Sequence, residues 1–143
     1  MINDTKKTIT RLADRLFALP IGNYLLSENF SLFCKQHDLA DIWKECRVLS
    51  RDRPDLYGIF VIKNAFVLFL EHFLHSRPDE FPELFTQFLS GFSQEISQPL
   101  PLDDLKKDLT DLGYSDDDLD KKFSVLIMNE EEDRKRRTTG CTD

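Results

Sequence analysis

The chain has 143 residues, of which 41% are hydrophobic and 31% charged, and its 19 Lys and Arg stand against 26 Asp and Glu for a formal net charge of −7. That composition suits one domain with its own buried core, and the acidity argues against a general polyanion binder because no large basic block offsets it. Five Gly and six Pro exclude fibrous and low-complexity classes.

In chain order, the first predicted element is a helix over Asn3 to Leu19. Ile9, Leu12 and Leu16 recur at helical spacing, Asn3 or Asp4 is available as N-cap, and Pro20 closes it. Leu25, Leu26, Phe30 and Phe33 form a second apolar stretch, with Ser27 positioned to cap and split it. Asp38 with Asp41 reads as a capping box opening a third helix, on which Leu39, Ile42, Trp43, Cys46 and Leu49 share a face; Arg51 to Pro54 ends it. The run from Asp55 to Ser76 is the most apolar in the protein and long enough to cross a membrane. Lys63, Asn64, Glu71, His72 and His75 interrupt it, so it is assigned as the central helix of a bundle, with Asn64, Glu71 and His75 as a polar stripe on its solvent edge.

A helix opening at Pro78, with Asp79 and Glu80 in its first turn, then runs to about Ser97. Phe81, Phe85, Phe88 and Phe92 follow one of its faces, and with Phe66, Phe69 and Phe73 they predict a Phe-rich central hairpin turning around Arg77 and Pro78. Pro99 to Pro101 marks a boundary. Beyond it Leu102, Leu105, Leu109 and Leu112 give a short helix that Gly113 ends in the left-handed conformation, and Ser115 with Asp118 starts another carrying Leu119, Phe123, Leu126 and Ile127. The expected fold class is all-α, a single-domain helical bundle of about seven helices. Residues 1–98 form its core, 99–128 an acidic helical hairpin packed on it, and 129–143 a charged helix end and disordered tail.

Cys34, Cys46 and Cys141 are an odd and sparse set, and Met1 to Thr10 lacks the apolar run of a secretory signal, so a reducing, cytoplasmic location without disulfides is expected. Cys34 with His37, and His72 with His75, repeat a three-residue spacing, and their convergence would make a metal-dependent enzyme. Yet no CxxC or HExxH pattern accompanies them, and cysteines on apolar faces and histidines at helix ends are ordinarily structural. No catalytic, cofactor-binding or metal-ligating residue is assigned. The glycines stand singly, so there is no phosphate loop, and Asp116 to Asp118 lacks the Gly and Glu of a calcium loop, with Lys121 and Ile127 in their places.

Two further segments bear on partners. Arg134 to Arg137 (RKRR) follows Glu130 to Asp133 at four-residue spacing, which a solvated helix explains; a nucleic-acid-associated regulator would need it to share one basic face with Lys6, Lys7, Arg11, Arg15, Arg47, Arg51 and Arg53. LTDLGYSDDDL, Leu109 to Leu119, resembles the first helix and loop of ubiquitin-associated domains, with Leu112 where these often carry methionine and no clear third helix to match. The resemblance implies a hairpin of a kind that binds partners.

The expected function is therefore non-catalytic: a cytosolic protein–protein interaction module, acting as adaptor, regulator or inhibitor through a helical groove or an acidic face. That face is Asp103, Asp104, Asp108, Asp111, Asp116, Asp117 and Asp118, suited to a protein partner with a basic surface and otherwise a solubilising face. Neither a cofactor nor a membrane is expected, and nucleic acid is the secondary reading.

Overall fold

Turn chemistry sets most of the element boundaries. The computed structural model describes residues 2–96, 98–124 and 126, and among them the chain is helical with no strand. Helices α1 (Ile2–Phe17), α2 (Ile21–Leu25), α3 (Glu28–Gln36), α4 (Ala40–Arg51), α5 (Ile59–Ser76), α6 (Phe81–Ser93) and α7 (Leu102–Asp111) are followed by a further helical stretch, α8, over residues 116–124. The protein is an all-α helical bundle built around an aromatic core, as its periodicity predicts.

Ser27 does split the second apolar stretch: its side chain accepts from the Phe30 amide and caps α3. Gly113 ends α7 at φ 108, with Tyr114 N–H donating to the Leu109 carbonyl and Gly113 N–H to that of Thr110, the paired bonds of a Schellman stop. The same motif corrects the reading of Asp38. That residue sits at φ 59, with its N–H donating to the Lys35 carbonyl and the Leu39 N–H to that of Cys34, so it closes α3 rather than capping α4. Leu39 takes the α4 N-cap position without a side-chain bond. Two starts also shift. α1 begins at Ile2, ahead of both residues expected to cap it, and α6 begins at Phe81 with Pro82 in its first turn, where a missing N–H is harmless.

α5 lies against α4, α1 and α2, while α3 touches α4 and α6, and α7 packs on α1. All seven phenylalanines of the expected hairpin are buried. Their rings bridge α5 and α6 at Phe66–Phe88 and Phe73–Phe81, 5.7 and 5.2 Å between centroids. The most extensive helix–helix contact is nevertheless α4 with α5, where Cys46 and Ser50 face α5 from α4. Phe30 is the hub of the core, with the rings of Tyr24, Phe33, Trp43, Phe69 and Phe88 all within 6.1 Å.

The polar stripe of α5 is a seam and not a solvent edge over part of its length. The Asn64 amide donates to Ser50 Oγ at 2.9 Å, and Oε1 of Glu71 is enclosed beside Cys46 without a hydrogen-bond partner among the described residues. His72 and His75 are exposed. α5 is long and apolar enough to cross a membrane, and in the bundle its Ala65, Phe66, Phe69, Leu70 and Phe73 are covered by other helices. On α4, Trp43 and Cys46 are buried as expected, but Leu49 is exposed, because Ser50 takes the α5-facing position at that turn.

Candidate functional site

Arg11 and Arg15 stand one turn apart on α1, and Asp108 projects between them from α7. Asp108 is 0% exposed. Its Oδ1 accepts from Arg11 Nε and its Oδ2 from Arg15 Nε, each at 2.7 Å, while Arg11 also reaches Asp111 at 2.6 Å and Arg15 reaches Asp104 at 3.5 Å. Hydrogen bonding to Asp108, against a smaller opposing effect of burial, pushes the Arg11 guanidinium above its ordinary value. Buried carboxylates persist where every oxygen has a charged donor, and this one is so arranged.

The arrangement removes one carboxylate from the expected acidic face and engages two others. Asp108 is not a surface residue, and Asp104 and Asp111 spend their charge on α1. Asp103, Asp104, Asp111, Asp116, Asp117 and Asp118 are exposed, the second and third while contacting α1; Asp116 accepts from Thr110 Oγ1, the Asp118 amide donates to Ser115 Oγ, and the Asp118 carboxylate lies 3.9 Å from Lys122. Of the residues expected to share a basic face, Arg11 and Arg15 pair with α7 and Arg53 pairs with its neighbour Asp55 at 2.6 Å. Lys6 and Lys7 line a separate open cleft of about 470 Å³ with Thr10, Arg11 and Asp14. The RKRR segment lies outside the described residues, as do Ile127 and Cys141.

The four potential metal ligands do not converge: among the described residues no three His, Cys, Asp or Glu side chains are grouped to hold a metal ion. Cys34 is buried against the α3–α4 seam, and burial pushes its thiol up to about 12; burial, then Glu45 and Glu71, push Cys46 up to about 11. His37 instead sets its ring 4.7 Å from that of Phe33, tilted at 53°, and its carbonyl accepts from Arg77 at 2.7 Å.

Two features were not singled out from sequence. The first is an apolar corner between α4 and α5, where Tyr57, Ile59 and Phe60 are 76%, 57% and 55% exposed. Gly58 at φ 63 starts α5 there, so these three side chains precede the helix's buried stripe, although the apolar run containing them reads as continuous core. Tyr57 and Phe60 meet edge to face at 6.5 Å, and Ile59 lies near Gly22 of α2. Leu26, one turn beyond Gly22, is exposed as well. The second is a cleft of about 200 Å³ between α3 and α4, lined by Ser31, Cys34, Ala40, Trp43, Lys44, Arg47 and Arg51. The 44, 47 and 51 spacing is legible in the sequence as one helix stripe, whereas the expected basic face takes Arg47 and Arg51 with distant cations and leaves out Lys44. Compared with family models, with curated proteins and with solved structures, the chain matches none of them.

Proposed function

We propose that this protein is a non-catalytic protein–protein interaction module, an adaptor, regulator or inhibitor of the cytosol, and that its partner seats on the apolar corner rather than on the acidic face. The observation that carries this reading is the exposure of Tyr57, Ile59 and Phe60 within four residues. Large apolar groups grouped at a surface mark contact sites, and aromatic residues dominate the energetics of such contacts. An acidic face would serve a basic partner, but three of its seven carboxylates already face α1. What remains there fits a solubilising role.

Affinity capture of the tagged protein from its native lysate at moderate salt tests this, comparing wild type with Tyr57→Ser/Phe60→Ser and with Asp116→Lys/Asp117→Lys/Asp118→Lys. All five side chains are exposed, so the first variant should keep its helicity and melting temperature, while the second, which loses the Asp116–Thr110 and Asp118–Lys122 contacts and the favourable charge at the start of α8, should keep its fold by circular dichroism at a somewhat lower melting temperature. Loss of two central aromatics costs about 2 kcal/mol or more, enough to weaken a complex about 30-fold. The partner should therefore be lost from the first variant and kept by the second. The reverse pattern returns the site to the acidic face and overturns the proposal.

A further inference from the structure

The α3–α4 cleft carries a charge arrangement that the packing of the bundle does not require. Lys44, Arg47 and Arg51 form one stripe along α4, three and four residues apart, and together with Ser31 of α3 they line the cleft. None of the three cations has a carboxylate within ion-pair distance among the described residues; Lys6, Lys7, Lys35, Lys107 and Lys121 also lack one, but only these three stand together as a trio, lining one cleft along a single helix. In a chain of net charge −7 with 26 carboxylates, three cations around one concavity, with no carboxylate in reach among the described residues, leave a local positive potential there. Like charges at this spacing repel within a helix, so the free protein holds the stripe at a cost that an anion would relieve.

Size and chemistry narrow the ligand. A volume of about 200 Å³ falls below the roughly 300–1,000 Å³ of sites that enclose drug-sized molecules, and suits a single tetrahedral anionic group. Two guanidinium groups offer forked donors that match phosphate oxygens, an ammonium adds a point charge, and a serine hydroxyl can donate at the rim. We propose that this cleft is a binding site for a phosphate group, carried either by a small phosphorylated molecule or by a phosphorylated side chain. It is independent of the apolar corner.

Trp43 is the only tryptophan in the chain and lines the cleft, so its fluorescence reports occupancy directly. Purified protein is titrated with inorganic phosphate and, separately, with O-phospho-L-serine, against chloride at matched ionic strength. The expected result is a saturable fluorescence change and a raised melting temperature with both, weakened about tenfold or more in Arg47→Gln/Arg51→Gln, and unchanged in Lys6→Gln/Lys7→Gln. Tighter binding of phosphoserine assigns the group to a modified side chain; equal binding assigns it to a small phosphorylated molecule. Should the double variant misfold by circular dichroism, Lys44→Gln, a change at an exposed position, must still weaken binding. Absence of a saturable change with both probes, or affinity untouched by removing the α4 cations, overturns the site.

Discussion

Replacing Asp108 by alanine removes the acceptor on which α1 and α7 are joined. Two hydrogen bonds of 2.7 Å are lost, and bonds to charged groups contribute roughly 1.5–3 kcal/mol each. The stranded guanidiniums are not sealed in, since the Arg11 and Arg15 side chains are 45% and 29% exposed and water can reach their freed donors. The loss should therefore be about 2–4 kcal/mol, at or below the 3–5 kcal/mol that follows when the abandoned charge is itself buried. In the thermal transition this corresponds to a drop on the order of 10 °C. Asp111→Ala, which removes only the exposed 2.6 Å pair, should cost under about 1 kcal/mol. Urea unfolding followed by Trp43 fluorescence and by helical circular dichroism measures both. Coincident curves with an unchanged m-value mean that α7 unfolds with the bundle; a smaller m-value means that it has already detached. An Asp108→Ala protein within about 0.5 kcal/mol of wild type, or one that loses no more than Asp111→Ala, would refute the ion-pair lock between α1 and α7.

Gly91→Ala should destabilise by about 1–3 kcal/mol, because its Cβ would stand 2.6 Å from the Tyr24 hydroxyl, and Tyr24→Phe in the same chain should recover most of that loss by deleting the colliding oxygen; a double variant no more stable than Gly91→Ala would falsify the clash. Asp38→Gly should stabilise by up to about 1 kcal/mol in a denaturant melt, since glycine adopts φ 59 without the strain a Cβ brings, and Gly113→Ala should lose about 1 kcal/mol or more at φ 108 although there is open space around it. Burial lifts Cys34, Tyr24 and Tyr114 to about 12 and Cys46 to about 11, above ordinary values of 9.0 for the thiols and 10.0 for the phenols. Because the folded state keeps these protons when the unfolded chain would release them, the stability they contribute is whole below about pH 9 and is lost as pH rises through 12. A urea midpoint that stays level between about pH 8 and 11 would contradict this, as would rapid alkylation of Cys34 or Cys46 in the native protein at pH 7.

Local chemistry alone determined the helical class, the seven buried phenylalanines, the Ser27 cap and the Gly113 stop, because each depends on residues within a turn or two of one another. Asp38 shows the limit of that reach: capping α4 and closing α3 both suit an aspartate at that position, and the chain's path between the two helices selected the second. The candidate surfaces were beyond it altogether. Asp108 and Arg11 are 97 residues apart, and in sequence each is one charge in a charged amphipathic helix. Only the packing of α7 on α1 turns both into the inside of an ion-pair lock, and only the turn at Gly58 leaves Tyr57, Ile59 and Phe60 outside the core while Phe66 and Phe69 lie within it. Periodicity reports which faces are apolar or charged; which of those faces find one another is decided by long-range packing, and so is what remains on the surface to meet a partner.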